Sequence, residues 1–314
     1  ALVRAQPLAT CLHALGGVLR AKPVSDQTRS YLLGLLGSSD TEAFLGALHA
    51  LAGMAHADIP SHLISRYPGL DAEAKLQLVQ ALGSLSLAGE QPQGLLLKLL
   101  KDPTPALRAA AALSLGLQRA VTARQPLKAA THDPHWMVRV NSTAALALLA
   151  DPADRDLFKV LAISRIPAVR ANALLGLARS GISGAASILV RSLARDRYPW
   201  ARLNALRGLL QHGFTQARLA HGDQVYKDAP SLLAAMASHD MDARVRALSA
   251  TLTAGGKPAA PASRPSHGTR WLGLYLQDHQ RLPLRNRPFL IVDGMGLVRV
   301  LQADAQGEAW LHGL

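Results

Sequence analysis

Residues 102–117 read DPTPALRAAAALSLGL. Asp102-Pro103 marks a helix start, because a carboxylate can cap free N–H groups and proline is tolerated in the first turn. Leu107-Arg108 follows, and then a run of small and aliphatic residues reaches Leu115-Gly116. Ala111 and Ala112 leave room for a neighbouring helix to come close. The stretch recurs as DPHWMVRVNSTAALAL at 133–148, DRYPWARLNALRGLL at 196–210 and DMDARVRALSATLTA at 240–254. In each copy an Asp stands six residues before an Arg, and a small-residue helix follows. Residues 164–178, SRIPAVRANALLGLA, keep the pattern except the Asp, which is Ser164.

Anchored on the Arg108 position, the copies fall at Leu8, Phe44, Lys75, Arg108, Arg139, Arg170, Arg202 and Arg246. The steps from Arg108 to Arg202 are 31, 31 and 32 residues. That period fits two helices and two short turns, the signature of a helical repeat array. The repeats predict helix pairs at 26–36 and 40–53, 58–66 and 71–86, 92–100 and 104–118, 123–131 and 135–149, 153–163 and 167–179, and 183–194 and 199–211. A last pair is expected at 229–238 and 241–253, and a partial first repeat at 7–19. Gly37, Gly181 and Gly213 sit where helices should end. The step from Arg202 to Arg246 is 44 residues, so 213–229 is read as an inserted loop.

The period changes after residue 254. AGGKPAAPASRPSHG at 254–268 is a linker composition, and beyond it the pattern alternates in twos. WLGLYLQ at 271–277, RPFLIV at 287–292, GLVRVLQA at 296–303 and EAWLHG at 308–313 are four expected strands of a small antiparallel unit. The expected organisation is a helical array over 1–254, a flexible linker over 255–268 and a β module over 269–314. That module is too small for a two-layer sandwich, so the natural polypeptide is expected to continue past Leu314. Ala1 in place of a starting Met points to processing or excision.

Composition agrees with packed helices. Apolar residues make up 49% and aromatics only 4%, a balance that favours Ala- and Leu-rich helices over a β-sandwich. A single cysteine, Cys11, excludes an internal disulfide framework, and a reducing cytoplasmic setting is the expectation. No long uncharged apolar run predicts a membrane span. Net charge is +13, which points to an acidic partner: nucleic acid, an anionic surface or an acidic protein.

The repeats resemble the HEAT family, in the short bacterial form first noted in phycobilisome lyases, over about residues 26–254. That resemblance implies an α-solenoid, a right-handed superhelix of antiparallel helix pairs with the second helices lining a concave face. It also implies an internal ladder in which each motif Arg bonds an Asp of the same or the next repeat. Carried over by position, its members are Arg108, Arg139, Arg170, Arg202 and Arg246, with Asp102, Asp133, Asp196 and Asp240. Arg170 lacks a local Asp and is expected to be the member most available to a partner. The C-terminal segment LYLQDHQRLPLRNRPFLIVDGMGLVRVLQADAQGEAWLHGL resembles a transthyretin-like or carboxypeptidase-regulatory β-sandwich, a module type also appended to type VI secretion spike proteins.

No nucleophile elbow, phosphate-binding loop or dinucleotide glycine motif is present, so no catalytic residue, cofactor or metal is assigned. His132 and His135 have a spacing that would need further ligands to hold a metal. The binding candidates are Trp136 and Trp200, with Tyr198, Arg165, Arg170, Arg195 and Arg197 in the turns between helices. Trp and Arg dominate binding hot spots, although the two Trp also suit plugs between repeats. The expected function is a non-enzymatic protein-binding scaffold of a bacterial multi-component system. The alternative is a nucleic-acid-binding protein that uses a basic face. The sequence leaves the oligomeric state open.

Overall fold

The computed structural model describes residues 25–38, 41–52, 58–84, 90–181, 184–212, 229–255, 271–275, 282, 284–293, 296–303 and 308–312. The partial first repeat with Cys11, most of the 213–229 insertion and nearly all of the 255–268 linker lie outside them.

The described chain is mainly helical, and its helices fall along the sequence in the successive pairs that the period requires. The pairs are α1 (Asp26–Leu35) with α2 (Thr41–Ala52), α3 (Ile59–Arg66) with α4 (Ala72–Ser84), and α5 (Glu90–Leu99) with α6 (Pro105–Leu117). They continue as α7 (Arg124–Ala130) with α8 (Trp136–Leu149), α9 (Arg155–Leu161) with α10 (Pro167–Ser180), α11 (Ala186–Arg195) with α12 (Pro199–Gln211), and α13 (Ala229–His239) with α14 (Ala243–Thr253). Four strands follow: β1 (Trp271–Tyr275), β2 (Pro288–Val292), β3 (Val298–Gln302) and β4 (Glu308–His312).

These residues form two compact units. One holds residues 1–130, 265–289 and 300–314, and the other holds 131–264 and 290–299. In the first, second helices α2, α4 and α6 pack in succession. Ser114 Oγ of α6 donates to the Val79 carbonyl at 2.8 Å, and Gln118 Nε2, just past α6, donates to the Leu82 carbonyl at 2.7 Å, so side chains of this repeat bond the backbone of α4. β1 and β4 pair antiparallel there, from Trp271 opposite His312 to Tyr275 opposite Glu308.

In the second unit α8, α10, α12 and α14 pack side by side, and α10, α12 and α14 are each backed by their own first helix, which is α-solenoid packing. The close approach expected of small residues is visible at α10, where Gly176 lies against the Phe158 ring of α9 and Ala171, Ala173 and Ala178 are buried. Gly181 ends α10 with φ 99°, a left-handed conformation that glycine adopts without a Cβ penalty.

Two expectations are corrected. Asp102 does not cap its helix: the first turn begins at Pro105, and the carboxylate instead accepts the Thr104 N–H at 2.8 Å, closing the turn before the helix. Nor does β3 alternate between core and solvent. Val298, Arg299, Val300 and Leu301 are all buried, and residues 290–299 belong to the same compact unit as α8 to α14.

Candidate functional site

Of the two expected pairings of the motif arginines, Arg170 and Arg202 take the one with the Asp of the next repeat. Arg170 Nε and Nη2 donate to the two carboxylate oxygens of Asp196, each at 2.7 Å. Its Nη1 donates to the Ser164 carbonyl at 2.8 Å. Arg202 repeats this with Asp240, at 2.8 and 2.7 Å, and with the Asp196 carbonyl at 2.9 Å. Each Arg thus holds a backbone carbonyl of its own turn and the carboxylate of the next. The local Asp carboxylate also closes its own turn, since Asp196 accepts the Tyr198 N–H and Asp240 the Asp242 N–H. The Arg–Asp pairs are bidentate and charge-assisted, the strongest common hydrogen-bond geometry.

Arg170 is therefore not the member available to a partner. All three of its nitrogens are engaged, and the Asp196 hydrogen bonds raise its already high pKa. The rung that Ser164 removes belongs to Arg139, one repeat earlier. Arg139 Nη1 holds the Asp133 and Pro134 carbonyls at 2.6 and 2.8 Å, while Ser164 Oγ takes over the turn-closing role by accepting the Ile166 N–H. Arg108 Nη1 likewise holds Asp102 and Pro103, and Arg246 Nη1 holds Asp240 and Met241.

The aromatic candidates sit at the helix starts, half-buried, and both face neighbours within the chain. Trp200 lies under the Arg244 guanidinium, 3.8 Å from the ring centroid, and Asp242 holds that guanidinium with two bonds. Trp136 stacks on His135 with centroids 6.3 Å apart. Tyr198 is half-buried, and burial raises its pKa. Arg165, Arg195 and Arg197 are exposed at the turns. No group of three His, Cys, Asp or Glu suited to a metal occurs among the described residues.

A second row emerges two positions beyond the motif Arg, at Asn141, Asn172 and Asn204, all fully buried. Its sequence signal is the recurring R-x-N of RVN, RAN and RLN, a polar residue repeated inside an apolar helix. Sequence reasoning passed over it. Asn172 and Asn204 are each fixed by the preceding second helix: Asn172 Nδ2 donates to Val140 at 3.2 Å and Asn204 Nδ2 to Ala171 at 2.9 Å. Both amides also bond the C-terminal segment. Asn172 Nδ2 donates to the Val298 carbonyl and Asn172 Oδ1 accepts the Val298 N–H, both at 2.8 Å. Asn204 Nδ2 donates to the Gly296 carbonyl at 2.9 Å. Gly296 has φ 85°, and a Cβ there would overlap Asn204 Oδ1 and come within 2.5 Å of Arg207 Nη1. Asp293 steadies the segment, accepting the Leu297 N–H at 3.0 Å and pairing with buried Arg299 at 2.9 Å. Burial lowers the Arg207 pKa and the Asp293 charge opposes that shift. Chemically this is a main-chain reader: neutral amides meet backbone N–H and C=O groups and contribute no nucleophile.

The model of HEAT repeats matches residues 60–147, 92–164 and 124–210 in overlapping copies. No curated protein matches the chain. Among solved structures, the chain is similar to the CpcE–CpcF complex of phycocyanin lyase from Nostoc sp. PCC7120, at 20% identity over 74% of this chain and 97% of that one, with a TM-score of 0.45. It is also similar to the Escherichia coli protein YibA, at 15% identity over 79% and 97% with a TM-score of 0.48. An engineered protein matches at 15% identity over 79% of this chain and 74% of its own, with a TM-score of 0.48. Together the family matches run over residues 60–210, and that stretch is similar to HEAT repeats.

Proposed function

We propose that this chain is a non-enzymatic scaffold that binds another protein, and that the second-helix face carrying Asn172 and Asn204 holds the bound polypeptide. One observation carries the reading: a fully buried amide, Asn172, pairs in both directions with the backbone of an extended segment. Helix pairs stacked in register expose a long face whose polar positions repeat at fixed intervals, and an extended chain also repeats at fixed intervals. Such a face takes up polypeptide rather than phosphate. Arg170 and Arg202 support the preference for protein over nucleic acid, because their guanidinium groups are already saturated by carboxylates and carbonyls. The exposed Arg165, Arg195 and Arg197, with Trp136 and Trp200 beside them, supply a basic turn edge for an acidic partner surface. The likeness of the C-terminal segment to modules on type VI secretion spikes supports a bacterial multi-component setting, with the scaffold acting in the cytoplasm.

The test is a pull-down from the native host with the full chain and with the Asn172→Ala/Asn204→Ala variant, both checked for helical content by circular dichroism. A protein retained by the wild type and lost by the folded variant is the expected result. Identical recovery by both would refute the assignment of this face.

A further inference from the structure

The contacts at Asn172 and Asn204 define a register. Val298, the first residue of β3, sits at the Asn172 station and Gly296, just before the strand, at the Asn204 station, so the segment advances two residues for one repeat. It runs against the repeat order, since the later residue meets the earlier helix. Two residues of strand span roughly 6.6 Å, and packed helices lie about 8–10 Å apart, so a slanted strand keeps step over adjacent repeats. Both amides are held by the preceding helix through a separate N–H. They are therefore oriented independently of what occupies the face, which lowers the cost of binding.

The resident segment does not satisfy the face completely. Asn172 makes both backbone bonds, but Asn204 Oδ1 is buried and accepts no hydrogen bond. The reason is local: the Gly296 N–H that would serve it donates to the Asp293 carbonyl at 2.9 Å. A buried acceptor without a donor is costly. A strand that stays extended past the Asn204 station presents an N–H there and removes that cost. Close packing admits little side chain at this station, and Arg207 stands beside it with Asp293 as the nearby carboxylate.

Building on the scaffold reading, we propose that Asn172 and Asn204 are a strand-reading site that accepts a segment of another polypeptide, and that residues 296–299 are a built-in occupant which that segment replaces. The ligand chemistry follows from the two stations. It is an extended segment running against the repeats, with glycine at the Asn204 station and a β-branched residue two positions later, as in the resident Gly296 and Val298. In the single chain the tether gives the resident a roughly millimolar effective concentration, so the closed form prevails until a ligand meets the unused acceptor.

The experiment separates site from occupant with two full-length variants. Gly296→Val leaves the amides intact but bars its own segment; Asn172→Ala/Asn204→Ala leaves the segment intact but removes the amides. Each alone is expected to be monomeric by sedimentation velocity. Mixed in equal amounts, they are expected to form a one-to-one complex, because one supplies the open site and the other the free strand. Adding Gly296→Val to the Asn variant should abolish the complex. Two folded variants that remain monomeric together at about 0.1 mM would overturn the proposal. Should either variant fail to fold, the wild-type chain is titrated with a labelled peptide of residues 288–303 and with its Gly296→Val counterpart. At least about ten-fold tighter binding of the first supports the site, and equal binding overturns it. A complex in this mixture with no Asn-dependent partner in the host pull-down removes the scaffold reading alone. Monomers here with an Asn-dependent partner there remove the strand-reading site alone.

Discussion

Asn172 and Val298, 126 positions apart in sequence, exchange two hydrogen bonds of 2.8 Å, amide to carbonyl and backbone N–H to amide oxygen. A helix side chain thereby does what a neighbouring strand would do. The pair ties a β segment to a helical repeat through main-chain groups.

Replacing Asn172 with Ala leaves the Val298 N–H and C=O without these bonds in a buried setting. The expected loss is about 1–3 kcal/mol, concentrated in the C-terminal segment. Hydrogen exchange at the Val298 amide should accelerate markedly while amides in α8 keep their protection. Uniform acceleration across both would count against a local role.

Ser164 interrupts the carboxylate ladder, and Ser164→Asp restores it. The new carboxylate would close its own turn at Ile166 and offer Arg139 the partner that Asp196 offers Arg170. A gain of about 0.5–1.5 kcal/mol is expected from a partly exposed charge-assisted bond, read as a higher Tm. The control is Arg139→Gln/Ser164→Asp, in which the gain should vanish.

Breaking a complete rung should cost more than a surface ion pair. Asp196 is 5% exposed at its side chain and serves both Arg170 and the Tyr198 N–H. Asp196→Ala is expected to destabilise by about 3 kcal/mol, because it leaves a partly buried guanidinium without its counter-charge. Urea unfolding measures this, and a change under about 1 kcal/mol would contradict the ladder's role.

At the start of α14 the hydrogen bonds from Arg244 pull the Asp242 carboxyl down to about 2, from an ordinary value of 3.8. A folded-state value below the unfolded one means that the ionised form favours the fold. Its contribution is complete above about pH 4 and is lost as pH falls towards 2. Asp242→Asn should reduce the acid-induced loss of stability in that window. It should also loosen Arg244 over Trp200, visible as a change in Trp fluorescence in the variant at neutral pH.

Gly176 faces the Phe158 ring so closely that a Cβ would lie 2.5 Å from it. In an exposed helix Gly→Ala would stabilise by close to 1 kcal/mol. Gly176→Ala should instead destabilise by about 1–3 kcal/mol through overpacking. The paired change Phe158→Leu/Gly176→Ala should recover part of the loss in a thermal melt.

The helix pairs were legible because their causes are local and periodic. The motif Arg and the small-residue cores recur at 31 or 32 residues between Arg108 and Arg202, with an Asp six residues before each Arg except Arg170, and each fixes its own segment. The four strands were legible for the same reason, through alternation and turn residues. The candidate site was read less well. Trp136 and Trp200 stand out by residue type, yet their rings already face His135 and Arg244. Arg170 looked unpaired because its own turn holds no Asp, whereas stacking brings Asp196 from the next. The Asn row was visible as R-x-N but had no meaning without an occupant.

The sequence alone determined that the chain folds as repeated helix pairs followed by strands, since hydrophobic period, helix-start residues and turn chemistry act over a few neighbouring positions. Only the tertiary structure decided that Arg170 and Arg202 each bind one repeat ahead, that β3 is buried with Arg299, and that Asn172 and Asn204 grip Val298 and Gly296. Those pairings join groups 26 to 126 positions apart. Their energy comes from removing both partners from water together, which no local spacing encodes.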